Sequence, residues 1–413
     1  MKVALVHDWL NGMRGGERCL EAFCELYPEA PIFTLFYVKE SVSRTIERHR
    51  IVPSLLSHFP FVARLYRYYL PLFPLVIRAF DLRGYDLILS SSHCVAKGVT
   101  VPPHACHVSY MHTPMRYVWD QHDVYFGQGR CSKIEQVVMA LLRRRLQQWD
   151  VQSNAHVHRF IANSHNVAER ITRQYGRSAC VVYPPVDWQG FQASHSHEGF
   201  YLMVTAFAPY KKVDLAIEAA NELGIPLKII GHGQNEKRLK QMAGPSVEFL
   251  GWQPDHRVRA FYTRCLAVLF PGEEDFGIVP LEAMAAGKPV IAYGKGGVLE
   301  TVIPLNPLKG MAIDSIPGKG INPEISLNEK RENLSETFTQ SDKSQPGPTG
   351  VFFYEQSVGA LIEAIQLFNR HLTDFDPDTI RAHVEPYDRT HFKQRMQQIV
   401  MSRYEEFRRL SPC

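Results

Sequence analysis

"EEDFGIVPLEAMAAGKPVIAYGKGG" (residues 273–297) holds a loop, a helix, a strand and a glycine turn in one short run. Phe276 and Gly277 end the loop, Pro280 suits the first turn of a helix, "LEAMAA" continues it, and Gly287 is placed to stop it. "PVIAY" (289–293) then reads as a buried strand, and "GKGG" (294–297) leads into a further helical pattern at "VLETV". A helix feeding a short apolar strand is the repeating unit of a parallel sheet covered on both faces.

Outward from this stretch the unit recurs. "KVALV" (2–6) is a short buried strand followed by a glycine-containing loop and a helix, and further apolar runs fall at "YDLILSSS" (85–92), "HVSYMHTP" (107–114) and "RFIANSH" (159–165). The double proline of "SACVVYPPVDWQGF" (178–191) and the polar "QASHSHEG" (192–199) read as a linker. The pattern restarts with "FYLMVTAFAPYKKVDLAIEAANELG" (200–224), "PLKIIGHG" (226–233), "SVEFLGW" (246–252) and "LAVLFPG" (266–272). The expected fold is α/β, with one Rossmann-like domain over residues 1–192, a second over 198–385 and a C-terminal helix within 386–413. Residues 303–349, rich in Pro, Gly, Ser, Asn and Lys, read as a flexible insertion in the second domain. The last helix places Phe392, Met396, Ile399, Phe407 and Leu410 near one face.

At 413 residues the chain exceeds the size at which one core keeps growing, in keeping with two domains. The 46 Lys and Arg against 42 Asp and Glu leave a net charge of +4, too small for a protein-wide polyanion surface, so no nucleic acid partner is expected. Cysteines at 19, 24, 94, 106, 131, 180, 265 and 413 show no C-x-x-C pair or metal-ligand spacing, which favours reduced thiols and a cytoplasmic protein. "MKVALVHDWL" is stopped by His7 and Asp8 and reads as a strand, not a signal peptide.

Glu274 lies in the loop and Glu282 on the helix, so the two carboxylates can reach different parts of one ligand. Carboxylates accept hydrogen bonds from sugar and ribose hydroxyls, and bare amides at "GKGG" suit a diphosphate. The stretch therefore suits a sugar nucleotide. Gly15 and Gly16 in "GMRGGERCL" precede a helix where backbone can approach a phosphate closely. His112 and Arg116 follow a strand in "YMHTPMRYVWDQ" (110–121), Gly231 and Gly233 form the turn after "LKII", and Lys211 and Lys212 offer two cations. "DFDPD" (374–378) has an Asp-x-Asp pattern but falls near the chain end, so no metal or other cofactor is expected.

The run "EDFGIVPLEAMAAGKPVIA" resembles the glutamate-pair motif of the family 4 retaining glycosyltransferases, in particular the mannosyltransferases of bacterial surface polysaccharide assembly. The resemblance covers nearly the whole chain apart from 303–349. It implies the GT-B fold, two Rossmann-like domains facing across a cleft, with the C-terminal helix crossing back. It implies that Glu282 holds the ribose hydroxyls, that Glu274 with the backbone at Phe276 and Gly277 holds the donor sugar, and that Lys211 sits on the diphosphate. Ala206 stands where many members have a second cation, an arginine, and Lys212 is one candidate to replace it. Gly15, Gly16, Gly231 and Gly233 match loops near the donor, and the His112 to Arg116 segment matches one near the sugar. His112, Glu274 and Lys211 are the expected catalytic residues.

The implied activity is transfer of a sugar, mannose from GDP-mannose in the first instance, to a polysaccharide or lipid-linked glycan. A UDP-sugar donor, a glycosidase using two carboxylates, and a non-catalytic sugar-nucleotide binder stay open as alternatives. Residues 61–80 mix aromatics with Arg64, Arg67 and Arg78, and 133–149 carry Arg143, Arg144 and Arg145. Such faces suit peripheral contact with anionic lipid on the inner face of the cytoplasmic membrane.

Overall fold

The computed structural model describes residues 1–116, 118–119, 133–305 and 347–410, without the side chains of 67 and 133–141. Most of the 303–349 insertion therefore lies outside the described residues, as do Cys131, Cys413 and the end of the 110–121 motif.

The first sheet has seven parallel strands: β1 (Val3–His7), β2 (Ile32–Thr34), β3 (Ile51–Pro53), β4 (Leu87–Ser92), β5 (Cys106–Met111), β6 (Arg159–Ala162) and β7 (Ala179–Val181), in the order 3-2-1-4-5-6-7. The second has six, β8 (Tyr201–Val204), β9 (Leu227–Ile230), β10 (Val247–Gly251), β11 (Ala267–Phe270), β12 (Val290–Tyr293) and β13 (Gly350–Phe353), in the order 10-9-8-11-12-13. Both are doubly wound α/β sheets. Their apolar, nearly continuous strands follow from helices covering both faces. The three-residue strands β2 and β3 are missing from the sequence reading, since runs this short carry no periodicity, and Pro53 ends the outermost strand.

Helices that position the site are α1 (Gly15–Leu26), α2 (Lys133–Gln152), α3 (His165–Tyr175), α4 (Val213–Leu223), α5 (Asp255–Arg264), α6 (Ile278–Ala285), α7 (Val358–Arg370) and α8 (Arg389–Leu410). As expected from the 273–297 stretch, α6 starts after Gly277 (φ +90°), stops before Gly287 (φ +72°) and feeds β12. Helix α1 differs from expectation: Gly15 and Gly16 are its first two residues, with Arg14 as the preceding cap.

Helix α8 crosses back onto the first sheet. Phe392, Met396, Val400 and Phe407 join the core formed by Leu5, Phe23, Val108 and Tyr110. Phe392 stacks on Phe23 at 5.7 Å, and Arg389 pairs with Glu21 at 3.0 Å and Glu25 at 2.9 Å. Val400 takes the place on this face that sequence periodicity extends to Leu410, which is 72% exposed where the helix runs past the sheet. The "DFDPD" aspartates have local roles: Asp376 caps the helix Pro377–Ala382 by accepting the Thr379 amide at 2.9 Å, and Asp374 pairs with His371.

Candidate active site between the two sheets

In parallel α/β sheets the loops leaving the carboxyl ends of the strands gather at the point where strand order reverses. Here those points are β1/β4 and β8/β11, and every site residue expected from sequence leaves a strand near one of them or lies on the helix that follows.

From the second sheet, the loop after β8 carries Lys211, the loop after β9 carries Gly231 and Gly233, the loop after β11 carries residues 271–277, and the loop after β12 carries Gly296 and Gly297. Glycine is demanded where these loops touch. A Cβ on Gly231 would lie 1.8 Å from the Thr205 carbonyl oxygen, and one on Gly296 2.4 Å from that of Glu274. Gly297 donates its amide to the Glu274 carbonyl at 2.9 Å. That corrects one expectation: this "GKGG" amide braces the 273–277 loop and is not open to a diphosphate.

The "EED" run spreads its three carboxylates over four cations, Arg170 being shared by two of them. Glu274 contacts the Lys211 ammonium. Glu273 pairs with Lys295 at 3.1 Å and lies 3.6 Å from Arg170. Buried Asp275 accepts from Arg116 Nε at 2.8 Å and Arg170 Nη1 at 2.6 Å, both guanidiniums reaching over from the first sheet's side. Asp275, Glu273 and Arg170 are missing from the sequence reading; their only signal is an acidic triplet beside an Arg on a distant helix. Further bridges span the two halves: Ser164 donates to the Asp275 carbonyl at 2.6 Å, Glu300 caps α3 by accepting the His165 and Asn166 amides at 2.8 and 2.9 Å, and Arg18 pairs with Asp255 at 2.5 Å.

Lys211 and Arg116 flank one ring, with the ammonium 5.2 Å and the guanidinium carbon 5.6 Å from the centre of Tyr210. Burial, reinforced by the charge of Arg116 and opposed by that of Asp275, pushes the Lys211 ammonium down to about 7. Lys212 follows in a left-handed conformation (φ +54°) at the start of α4. Ala206 is exposed in the same loop.

Glu282 projects from α6, accepts from the Tyr262 hydroxyl at 3.0 Å, and has its carboxyl pushed up to about 7 by burial. The Phe276 side chain is buried against Tyr183 and Tyr387, so only its backbone is placed to face a ligand. Gly277 supplies the left-handed turn before α6.

From the first sheet, Gly15 abuts the other half: a Cβ there would lie 2.8 Å from Ile278 Cδ1. A Cβ on Gly16 would sit 3.6 Å from His112 Nε2 and 3.6 Å from His7. His112, half-buried at the end of β5, bonds Ser91 Oγ through Nε2 at 2.9 Å, and burial pushes its pKa down to about 3, leaving the ring neutral. Beneath it, Asp8 accepts the amides of His93, Cys94, Val95 and Ala96 at 2.6 to 2.9 Å and so pins the loop after β4.

This arrangement presents carboxylates for hydroxyls, cations for a diphosphate and a neutral imidazole around one inter-domain seam. The family model described as "Glycosyltransferase Family 4" matches residues 13–189, and the one described as "Glycosyl transferases group 1" matches 187–345. The chain belongs to the family 4 glycosyltransferases. It is 31% identical over 150 residues to an uncharacterised glycosyltransferase of Methanocaldococcus jannaschii, covering 35% of this chain and 42% of that protein. It is 33% identical over 102 residues to the O-antigen chain mannosyltransferase C of Escherichia coli, covering 23% and 28%. The chain thus spans less than half the length of these relatives. HepE of Anabaena, solved in complex with UDP, shares the GT-B fold with a TM-score of 0.64 at 16% identity, covering 97% of this chain and 100% of that one.

Proposed function

We propose that this glycosyltransferase moves a sugar, mannose from GDP-mannose in the first instance, onto a polysaccharide or lipid-linked glycan with retention of configuration. The observation that carries the reading is the Lys211–Glu274 pair with Arg116 beside it at the seam. A departing diphosphate gathers negative charge, and preorganised cations in a partly dry site stabilise it. Arg116, arriving from the opposite side, supplies the second charge that Ala206 lacks, in preference to Lys212. Glu274, released from Lys211 when the diphosphate takes the ammonium, accepts from a hydroxyl of the donor sugar, together with the Phe276 and Gly277 backbone. Glu282 accepts from the ribose.

In this scheme the bond from the sugar's anomeric carbon to the diphosphate oxygen breaks. The acceptor oxygen bonds that carbon on the face the diphosphate leaves, and the acceptor's proton passes to the departing phosphate. The E. coli relative named as an O-antigen chain mannosyltransferase supports the choice of sugar. Calorimetric titration with GDP-mannose, UDP-glucose and ADP-glucose tests the donor: GDP-mannose is expected to bind at least tenfold tighter than the others. Preference for a UDP-sugar would overturn the mannose assignment, and binding without turnover would favour the non-catalytic alternative.

Peripheral membrane contact has its own support. Residues 55–80 contain no Asp or Glu, and Leu55 (76%), Phe61 (72%) and Leu75 (71%) are exposed together with Phe59, Leu65 and Tyr68. Leu56, Leu70, Phe73 and Ile77 root the segment in the first-domain core, with Val62, Tyr66, Tyr69, Val76 and Phe80 packed against it, while Arg64 and Arg78 are exposed. Apolar groups ringed by arginine suit shallow insertion into an anionic surface. The second basic stretch fits less well: Arg143 is engaged by the carbonyls of Val118 and Trp119 at 2.9 and 3.3 Å. Among the described residues no helix is long and apolar enough to cross a membrane.

A further inference from the structure

A chain of polar side chains runs under the first turn of α1. His112 Nε2 lies 2.9 Å from Ser91 Oγ, Ser91 Oγ lies 3.1 Å from His7 Nδ1, and His7 Nε2 lies 3.6 Å from Glu17 Oε1. The other Glu17 oxygen accepts the Arg14 amide at 3.0 Å. His7 and Ser91 are fully buried and Glu17 nearly so; β1 and β4, the loop just after β5 and helix α1 contribute. None of Glu17, His7 and Ser91 is among the residues expected from sequence.

Proton counting fixes the direction of this chain. A serine hydroxyl has one proton, so it donates to one imidazole nitrogen and accepts from the other. Burial works against charge on Glu17, but the adjoining His7 ring, with a smaller contribution from His93, outweighs it and holds the carboxyl below its usual range. An ionised carboxylate only accepts, so a His7 ring with a single proton carries it on Nε2, facing Glu17, and presents a bare Nδ1 to Ser91. Ser91 then donates to His7 Nδ1 and accepts from His112 Nε2–H. The remaining nitrogen of His112, Nδ1, is left as a lone pair, and it has no hydrogen-bond partner among the described residues.

We propose that Glu17, His7 and Ser91 are positioning residues that hold His112 as the Nε2–H tautomer, so that it faces the cleft as an acceptor for a sugar hydroxyl and not as a donor to phosphate. The inference rests on the reading that a sugar occupies the cleft, but its first test does not. In ligand-free protein carrying ¹⁵N-labelled histidine, long-range proton–nitrogen NMR correlations report which ring nitrogen bears the proton. The expected result is a protonated Nε2 and a bare Nδ1 on both His112 and His7. A His112 protonated on Nδ1, the state that follows if His7 carries two protons and Ser91 runs the other way, would overturn the proposal whatever the donor proves to be.

Ser91→Ala cuts the chain between the rings. The variant is expected to show a mixed His112 tautomer and transfer turnover lowered about tenfold at unchanged affinity for the nucleoside diphosphate. Ser91→Thr, which keeps the hydroxyl, is expected to restore both. A Ser91→Ala protein with the wild-type tautomer, or loss of activity that Ser91→Thr fails to rescue, would count against the relay. If that variant does not fold, Glu17→Gln and the wild-type spectrum answer the same question.

Discussion

Glu282 shows how a single carboxyl combines fold and chemistry. Burial in α6 holds its pKa near 7, with the Tyr262 hydroxyl as its partner. In the proposed role the ionised form accepts the ribose hydroxyls, so the sign follows directly: as pH falls through about 7 the group takes up a proton and nucleotide affinity is expected to drop. Titrating GDP at a series of pH values should show that loss, and Glu282→Gln should bind about tenfold more weakly with the pH dependence removed. A variant that keeps the wild-type pH profile would assign the titration to another group. Both glutamates were legible in the sequence because their spacing is local. Asp275 was not, since its partners Arg116 and Arg170 are more than a hundred positions away.

At the scale of elements, the first sheet depends on a buried ion pair that no motif announces. Lys97, in the turn after β4, is fully buried; its ammonium lies 3.0 Å from Asp150 Oδ1 and donates to the Asp150 carbonyl at 2.7 Å and Ser153 Oγ at 2.6 Å. Asp150 also accepts from Trp119 at 2.7 Å and Tyr175 at 2.8 Å, tying α2 to α3. Removing one partner strands the other charge, so Lys97→Ala should cost about 3–5 kcal/mol, read from chemical unfolding. Lys97→Ala with Asp150→Ala should cost less than the sum of the single changes; simple additivity would mean the two charges are not coupled. Strand and helix alternation was readable along the chain, whereas β2 and β3 were too short to leave a pattern.

For the molecule as a whole, the exposed apolar edge at residues 55–75 lies apart from the candidate active site in both sequence and sheet position. If it rests on lipid, Leu55→Asp with Leu75→Asp should lower cosedimentation with anionic vesicles at least tenfold, because each buried leucine contributes roughly 1.5–3 kcal/mol, while donor binding in solution stays unchanged. Equal sedimentation of the variant would remove the membrane contact from the proposal, and equal binding to neutral vesicles would remove the role of the arginines.

By itself the sequence determined the doubly wound architecture, the helix from Gly277 to Gly287 and the placement of Glu274, Glu282, Lys211 and His112 on it or at strand ends, because each rests on periodicity and turn chemistry within a few residues. It also carried the resemblance that the family match upholds. Only the tertiary structure decided that Asp275 gathers two arginines across the seam, that Gly297 spends its amide on the Glu274 loop, and that Glu17, His7 and Ser91 line up behind His112. The reason is distance along the chain: hydrogen bonds and ion pairs are fixed by which strands the sheet order brings together, and parallel strands are joined only by long crossovers whose partners no local pattern records.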